Sequence, residues 1–220
     1  MKGDLTHISV DGKSKVSGTL EDYSFLIYGL LELYQSDFSM NWLSLASRLQ
    51  ERQIQLFWDD KEHSFFDSDG KDSKIPVRTK DFSDNATPSG NSMSAYNLLR
   101  LSSVTYREDF RKKAESLFLK QAGKFKRYPS AFPFMLQAID YYLDSSKEIA
   151  IIGSLEHENT KKVLEVLNQT FIPNKMIAVG LYDTKKKAVP LLKNKPLLKG
   201  TEGSIYVCEK TICKLPTLDY

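Results

Sequence analysis

The sequence predicts a mainly α chain with a small α/β portion at its C-terminal end. Three observations predict it. Apolar residues recur at helical spacing in five successive segments of residues 1–146. Capping signals such as Thr19-Leu20-Glu21-Asp22 open several of those segments. From residue 147 onward the pattern changes to short apolar runs, "EIAIIG" and "MIAVGL", on either side of one helical segment.

The first helix is expected to start at Thr19, with Asp22 reaching back to complete the capping box. Its stripe is Tyr23, Ile27, Leu30, Leu31 and Tyr34, and Phe25, Leu26 and Leu33 make it apolar nearly all round. Such a helix belongs between neighbours. Ser36-Asp37 breaks it. A second helix is expected from Trp42 to Trp58, with Trp42, Leu45, Leu49 and Leu56 inward. A long loop follows, from Asp59 to Gly90, with a β-ribbon pairing Ser64–Asp67 and Ile75–Arg78. Loops of this length inside a compact domain are functional or disordered. The third helix is expected from Ser89 to Ser103. Thr105-Tyr106-Arg107-Glu108 reads as a second capping box, opening a helix with Phe110, Ala114, Leu117 and Phe118 inward. Tyr128-Pro129-Ser130 stops it. The fifth helix runs from Ala131 to Leu143 on a stripe of Phe134, Met135, Ala138, Ile139 and Tyr142.

In residues 147–220, strand, helix (Thr160–Gln169) and strand follow at the spacing of a βαβ crossover, which implies a parallel pair. A lysine-rich stretch, Lys185–Lys199, reads as solvated surface. The chain closes on a hairpin of Ile205–Cys208 and Thr211–Cys213, turning at Glu209-Lys210. With that turn Cys208 faces Thr211, and the cysteines form a diagonal pair about 7–8 Å apart. Two buried thiols are expected rather than a bridge.

Composition narrows the function classes. With 41% hydrophobic residues the 220-residue chain can bury a core. Its 31 basic and 28 acidic side chains leave a net charge of +3, which gives no basis for nucleic-acid binding. No apolar run approaches the roughly 18 residues of a membrane span. Met1-Lys2-Gly3-Asp4 is not a secretory signal, and two cysteines make no disulfide framework. A reducing, cytoplasmic compartment is expected. No cofactor is expected: zinc would need more Cys or His ligands near Cys208 and Cys213, and Gly153 stands alone rather than in a G-x-G-x-x-G fingerprint.

"GTLEDYSFLIYGLLELYQ", the Phe65-Phe66-Asp67 turn, "VRTKDFSDNATPSGNSMSAYNLLRL" and "YVCEKTICKLP" occur in that order. Together they resemble the thioredoxin-domain-containing family with a six-hairpin-glycosidase-like body, which includes the YyaL-like proteins. The resemblance runs from about Gly12 to the end of the chain. It implies that the helical hairpins are part of an (α/α)6 toroid, and that the chain corresponds to the C-terminal part of longer proteins carrying an N-terminal thioredoxin-like domain. It also implies that the chain is a fragment or a split gene product. An incomplete toroid is expected to leave Tyr23, Ile27, Leu30 and Tyr34 uncovered, so either the missing thioredoxin-like and toroid portion or self-association would have to cover them.

In such toroids the ligand cleft lies at one end, among loops and helix N-termini. Ser89, Asn91 and Ser92 cluster where the third helix starts, with Arg78, Asp81 and Asp84 just before them. That mix suits a polyhydroxylated ligand such as a carbohydrate. Glu21, Asp67 and Asp84 are the candidate catalytic carboxyls, and glycosidases need two about 5–9.5 Å apart. Asp22, Tyr23, Arg78, Asp81, Ser89 and Asn91 are the candidate ligand-binding residues. The competing reading takes the same residue types as turn formers and helix caps. Sugar epimerases on this toroid use histidines, whereas His7, His63 and His157 all lie off the apolar-striped helices. If the chain is enzymatic, the resemblance points to glycosidase-like chemistry; otherwise it points to a non-catalytic scaffold or interaction module accompanying a thioredoxin-like domain.

Overall fold

The computed structural model describes residues 4–11, 13–72, 76–144, 146–181, 189–198, 201–209 and 212–216. The described residues are mainly helical, with a small sheet near the C-terminal end. The elements in order are β1 (Thr6–Val10), β2 (Lys13–Ser17), α1 (Leu20–Asp37), α2 (Met40–Phe57), β3 (Trp58–Asp59), β4 (Ser64–Phe65), α3 (Gly90–Thr105), α4 (Glu108–Arg127), α5 (Pro133–Leu143), β5 (Lys147–Gly153), α6 (Glu158–Gln169), β6 (Lys175–Gly180), β7 (Gly203–Glu209) and β8 (Ile212–Cys213). They fall into two compact units. One comprises residues 1–99 and 108–140, the other residues 100–107 and 141–220.

In the first unit α1 begins as expected. Thr19 is the N-cap and the capping box with Asp22 is complete. Phe38 ends the helix in a left-handed conformation, its N–H bonded to the Tyr34 carbonyl. Tyr23, Ile27, Leu30 and Tyr34 are between 0% and 4% exposed. The expected bare face is therefore absent: the described residues bury it, and Tyr23 stands edge-on to Phe57 of α2 with ring centroids 5.5 Å apart.

The inward face of α2 differs from the predicted one. Leu43, Ala46, Leu49, Gln50, Gln53 and Phe57 are buried, and of the expected stripe only Leu49 is among them. Trp42 turns aside because its indole N–H donates to Asp37. The true stripe contains two glutamines that bond each other at 2.7 Å, and polar residues on a buried face hide its period.

Two other boundaries move. Ser64 and Phe65 pair with Asp59 and Trp58, not with the 75–78 segment. Closing this short antiparallel pair spans only a few residues, which costs less chain entropy than a longer loop. Of the expected partner strand, Ile75 lies outside the described residues. Thr105 does not cap α4. It belongs to the last turn of α3, its hydroxyl donates to the Leu101 carbonyl, and Tyr106 then leaves the helix at φ +54°. Helix α4 buries Phe110, Ala114, Leu117 and Phe118 as predicted, with acidic residues in its first turn and basic ones in its last, both favourable for the helix dipole.

In the second unit the predicted crossover is present: β5 and β6 run parallel, with Ile149 opposite Ile177, and α6 connects them. β7 adds antiparallel on the other side of β5, so the sheet order is β6-β5-β7-β8. The closing hairpin corrects the cysteine assignment. Glu209 pairs with Ile212 and Cys208 with Cys213, and the two cysteines form a disulfide. The expected turn at Glu209-Lys210 is displaced by one residue, which moves the partner of Cys208 by two, from Thr211 to Cys213, and turns a diagonal pair on one face into a directly opposed one. Lys210 and Thr211 lie outside the described residues. So do Lys185, Lys186, Lys187 and Lys199 of the lysine-rich stretch. Within that stretch Lys195 departs from the solvated reading, being only 8% exposed.

Helix packing at the start of α3 is tight enough to test. A Cβ on Gly90 would lie 2.8 Å from Cγ and Cδ2 of Leu20, which starts α1. Gly90→Ala should therefore destabilise the chain by about 1–3 kcal/mol in denaturant unfolding. Gly123→Ala, on an α4 position with open space around it, should stabilise by up to about 1 kcal/mol.

Candidate functional site

The long loop between β4 and α3 is irregular, so its backbone groups need partners that no ladder supplies. The polar residues singled out in the sequence provide them. Asn91, fully buried in the first turn of α3, accepts the Phe65 N–H at 2.8 Å and donates to the Phe65 carbonyl at 3.0 Å. The same amide nitrogen donates to the Asp81 carbonyl at 2.8 Å. Its side chain thus pairs with Phe65 as a neighbouring strand would, and holds both ends of the loop.

Asp84 joins two helix starts. One carboxylate oxygen accepts the Ser89 N–H at 2.9 Å, and the other accepts the Phe134 and Met135 N–H groups at 2.8 and 3.1 Å. Ser89 then caps α3 by accepting the Ser92 N–H. Asp67 accepts the Thr79 hydroxyl at 2.7 Å and the Asp81 N–H at 3.0 Å, while its carbonyl receives the Leu20 N–H. Asp81 accepts the Ser83 N–H in a local turn.

Arg78 donates to the carbonyls of Ser68 and Leu56, and its guanidinium lies 3.9 Å from the centre of the Phe66 ring. Burial lowers its pKa against the opposing fields of Asp69 and Asp59. The structure therefore brings Asp67, Arg78, Asp81, Asp84, Ser89 and Asn91 into one hydrogen-bonded framework. Their partners are mostly backbone groups.

The α1 candidates lie apart from this framework in their bonding. Tyr23 is buried and its hydroxyl accepts the Leu5 N–H at 3.0 Å. Asp22 receives the Thr19 N–H at 2.7 Å and faces His7 Nδ1 at 2.8 Å. Burial raises the Asp22 pKa, but the bonds from the Thr19 backbone, His7 and the Thr19 hydroxyl outweigh it and leave it lowered. The His7 contact was not foreseen; a register shift in β1 between Thr6 and Ile8 accompanies it. Glu21 is exposed in the first turn of α1.

Sequence reasoning also missed a charged group beside β2. Asp4 takes both Arg52 Nε and Nη2, at 2.5 and 2.8 Å, and Lys71 Nζ at 3.2 Å. Asp69 pairs with the same lysine at 3.3 Å. Nothing local marks these partners, which are 48 and 67 residues from Asp4. Next to them a cavity of about 370 Å³ is lined by Val16–Thr19 and by Ser68, Asp69, Lys71 and Asp72. Ser68 Oγ at this wall is buried with no hydrogen-bond partner in the structure. Among the described residues, no group of three or more His, Cys, Asp or Glu side chains is placed to hold a metal. No helix among them is long and apolar enough to cross a membrane.

Two measurements follow. Asp84→Ala removes acceptors from two helix starts. It should lower stability by about 1–3 kcal/mol in urea unfolding, because each lost cap costs about 0.5–2 kcal/mol. The Arg52 hydrogen bond holds the Asp4 carboxyl at about 2, with burial opposing and Lys71 assisting. A depressed carboxyl stabilises the fold above its unfolded value, roughly 3.9, and that stability is lost as pH falls towards about 2. The side chain is 35% exposed, so the contribution stays below about 1 kcal/mol. Melting curves from pH 5 to 2 should fall less steeply for Asp4→Asn than for the unmodified chain.

No protein-family model matches the sequence. Curated relatives do. Over 206 residues, 92% of the chain, it is 35% identical to spermatogenesis-associated protein 20 of Homo sapiens. The Rattus norvegicus protein of that name is 35% identical over 208 residues. An uncharacterized protein of Caenorhabditis elegans is 27% identical over 93% of the chain. The chain spans about a quarter of the length of these relatives, 26% of the human and rat proteins. A similarity that covers 92% of the chain takes in both compact units, and by it the chain belongs to the family of spermatogenesis-associated protein 20.

Proposed function

We propose that this chain is a non-catalytic interaction module, a C-terminal portion of a longer protein that accompanies a thioredoxin-like domain. One observation carries this reading. The polar residues that would form a carbohydrate cleft spend their hydrogen bonds on the loop and the helix starts: Asn91 donates twice and accepts once, and Asp84 accepts on both of its oxygens. A docking face is available on the β1–β2 hairpin. Ile8, Val10 and Val16 are 42%, 45% and 43% exposed, and Ile8 lies directly opposite Val16. Exposed apolar side chains that neighbour each other, as Ile8 and Val16 do, mark an interaction site more often than isolated ones. The relatives are about four times as long as the matched region, and the partner in this proposal is the thioredoxin-like domain that the family resemblance implies.

A second reading keeps a carbohydrate ligand, with processing of that ligand as its enzymatic extension. It is favoured by the cavity between Val16–Thr19 and Ser68–Asp72, whose walls offer hydroxyl, carboxylate and ammonium groups and the unpaired Ser68 Oγ. Glu21, exposed at the start of α1, is the candidate carboxyl that the loop framework does not engage. The cytoplasm is the compartment proposed with both readings, and the Cys208–Cys213 disulfide removes the cysteine argument for it.

The two readings separate in one pair of experiments. Calorimetric titration of the chain with a thioredoxin-like domain taken from a longer family member should give saturable heat, and Val10→Asp should remove it while leaving the melting temperature within a few degrees. A glycan array probed with the chain should show no specific signal. Glycan binding that disappears in Ser68→Ala or Lys71→Met, without binding to the thioredoxin-like domain, would replace the first reading with the second.

A further inference from the structure

The second unit holds a cavity that the proposed function does not use. It has a volume of about 420 Å³ and is lined by Ile152, Leu181, Asn194, Lys195, Pro196 and Leu197. Ile152 is the next-to-last residue of β5 and Leu181 directly follows β6, so the cavity sits at the carboxyl ends of the two parallel strands. In open α/β sheets the strand ends at which the connections leave are where ligands bind. The volume is near the lower end of the roughly 300–1,000 Å³ typical of small-molecule sites, so the fitting ligand is small. Four of the six lining side chains are apolar, and the polar ones are an amide and an ammonium.

Lys195 is the unusual member. It is 8% exposed, and its ammonium lies 3.5 Å from the Tyr106 hydroxyl and 5.8 Å from the centre of that ring. Burial lowers its pKa, with Glu148 acting in the opposite direction. Tyr106 is pushed up to about 12, first by burial and then by the field of Glu148, so it faces Lys195 as a neutral phenol. The Lys195 ammonium thus lines the cavity with a neutral hydroxyl beside it. A buried cation is stabilised by an anion that enters beside it, and apolar walls reward an anion that carries hydrocarbon.

We propose that this cavity binds a small monocarboxylate with a short apolar tail, its carboxylate paired with Lys195 and its tail against Ile152, Leu181 and Leu197. A single ammonium in the lining suits a monoanion better than a phosphate dianion, and Pro196 and Leu197 leave little polar surface to solvate a larger headgroup. Asn194, held at φ +59°, adds an amide to the lining.

The test is an amide-proton NMR titration of the 220-residue chain with sodium hexanoate, hexanol, acetate and inorganic phosphate. Hexanoate should produce saturable shifts at Ile152, Leu181 and Leu197, at a concentration at least tenfold lower than hexanol or acetate. Lys195→Met, which keeps the apolar stem and removes the charge, should bring hexanoate to the level of hexanol. Lys195→Arg should retain measurable binding. Equal binding of hexanoate and hexanol, tighter binding of phosphate, unchanged hexanoate binding in Lys195→Met, or no saturable shift at the cavity would each overturn the proposal.

Discussion

The loop between β4 and α3 is largely irregular and lies against helices, and each buried amide in it requires a partner. This requirement governs the first unit. Side chains meet it in place of a sheet: Asn91 bonds both the N–H and the carbonyl of Phe65, and Asp84 fills the empty N–H groups where α3 and α5 start. The start of α3 is accordingly polar and buried together. Ser89, Asn91, Ser92, Ser94 and Asn97 are all less than 4% exposed. Unmade hydrogen bonds at such positions cost about 1–3 kcal/mol each, which explains why so polar a segment leads into a packed helix.

The same bonding limits the chemistry these residues can perform. A carboxylate acting as general acid, base or nucleophile needs a lone pair directed at a substrate. The oxygens of Asp84 are aimed at three backbone N–H groups, and those of Asp67 at the Thr79 hydroxyl and the Asp81 N–H. Arg78 is likewise directed at carbonyls and stacked on Phe66. The surfaces proposed for recognition are others: the apolar hairpin face, the polar cavity near Ser68, and the strand ends of the second unit.

The second unit is organised by β5, which is paired on both sides and buried along nearly its whole length. A strand in that position has no solvent face, so its sequence is continuously apolar rather than alternating. The exception is Glu148 at its start, which is 6% exposed and acts on both Tyr106 and Lys195. A carboxylate on a buried strand and a lysine from a loop are the components from which a ligand site in this unit can be built.

What the sequence determined by itself is local. Thr19 and Asp22 fixed the start of α1, and the stripe of Phe110, Ala114, Leu117 and Phe118 oriented α4. The change of pattern at Lys147 announced the parallel pair of β5 and β6. Each of these signals is contained within one helical turn, one stripe or one βαβ unit, and so survives without knowledge of the rest of the chain. The tertiary structure decided whatever depends on closure. Asn91 meets Phe65 across 26 positions, Asp84 meets Phe134 across 50, and Arg52 meets Asp4 across 48. Gln50 and Gln53 face inward and share one hydrogen bond, with Gln50 Oε1 and Gln53 Nε2 left without a partner, and Cys208 meets Cys213 because the hairpin turns one residue later than its local pattern suggests. A polar residue carries the same letters whether it caps, clamps or binds. Only the position of its partner distinguishes these roles, and that position is set by how distant segments pack.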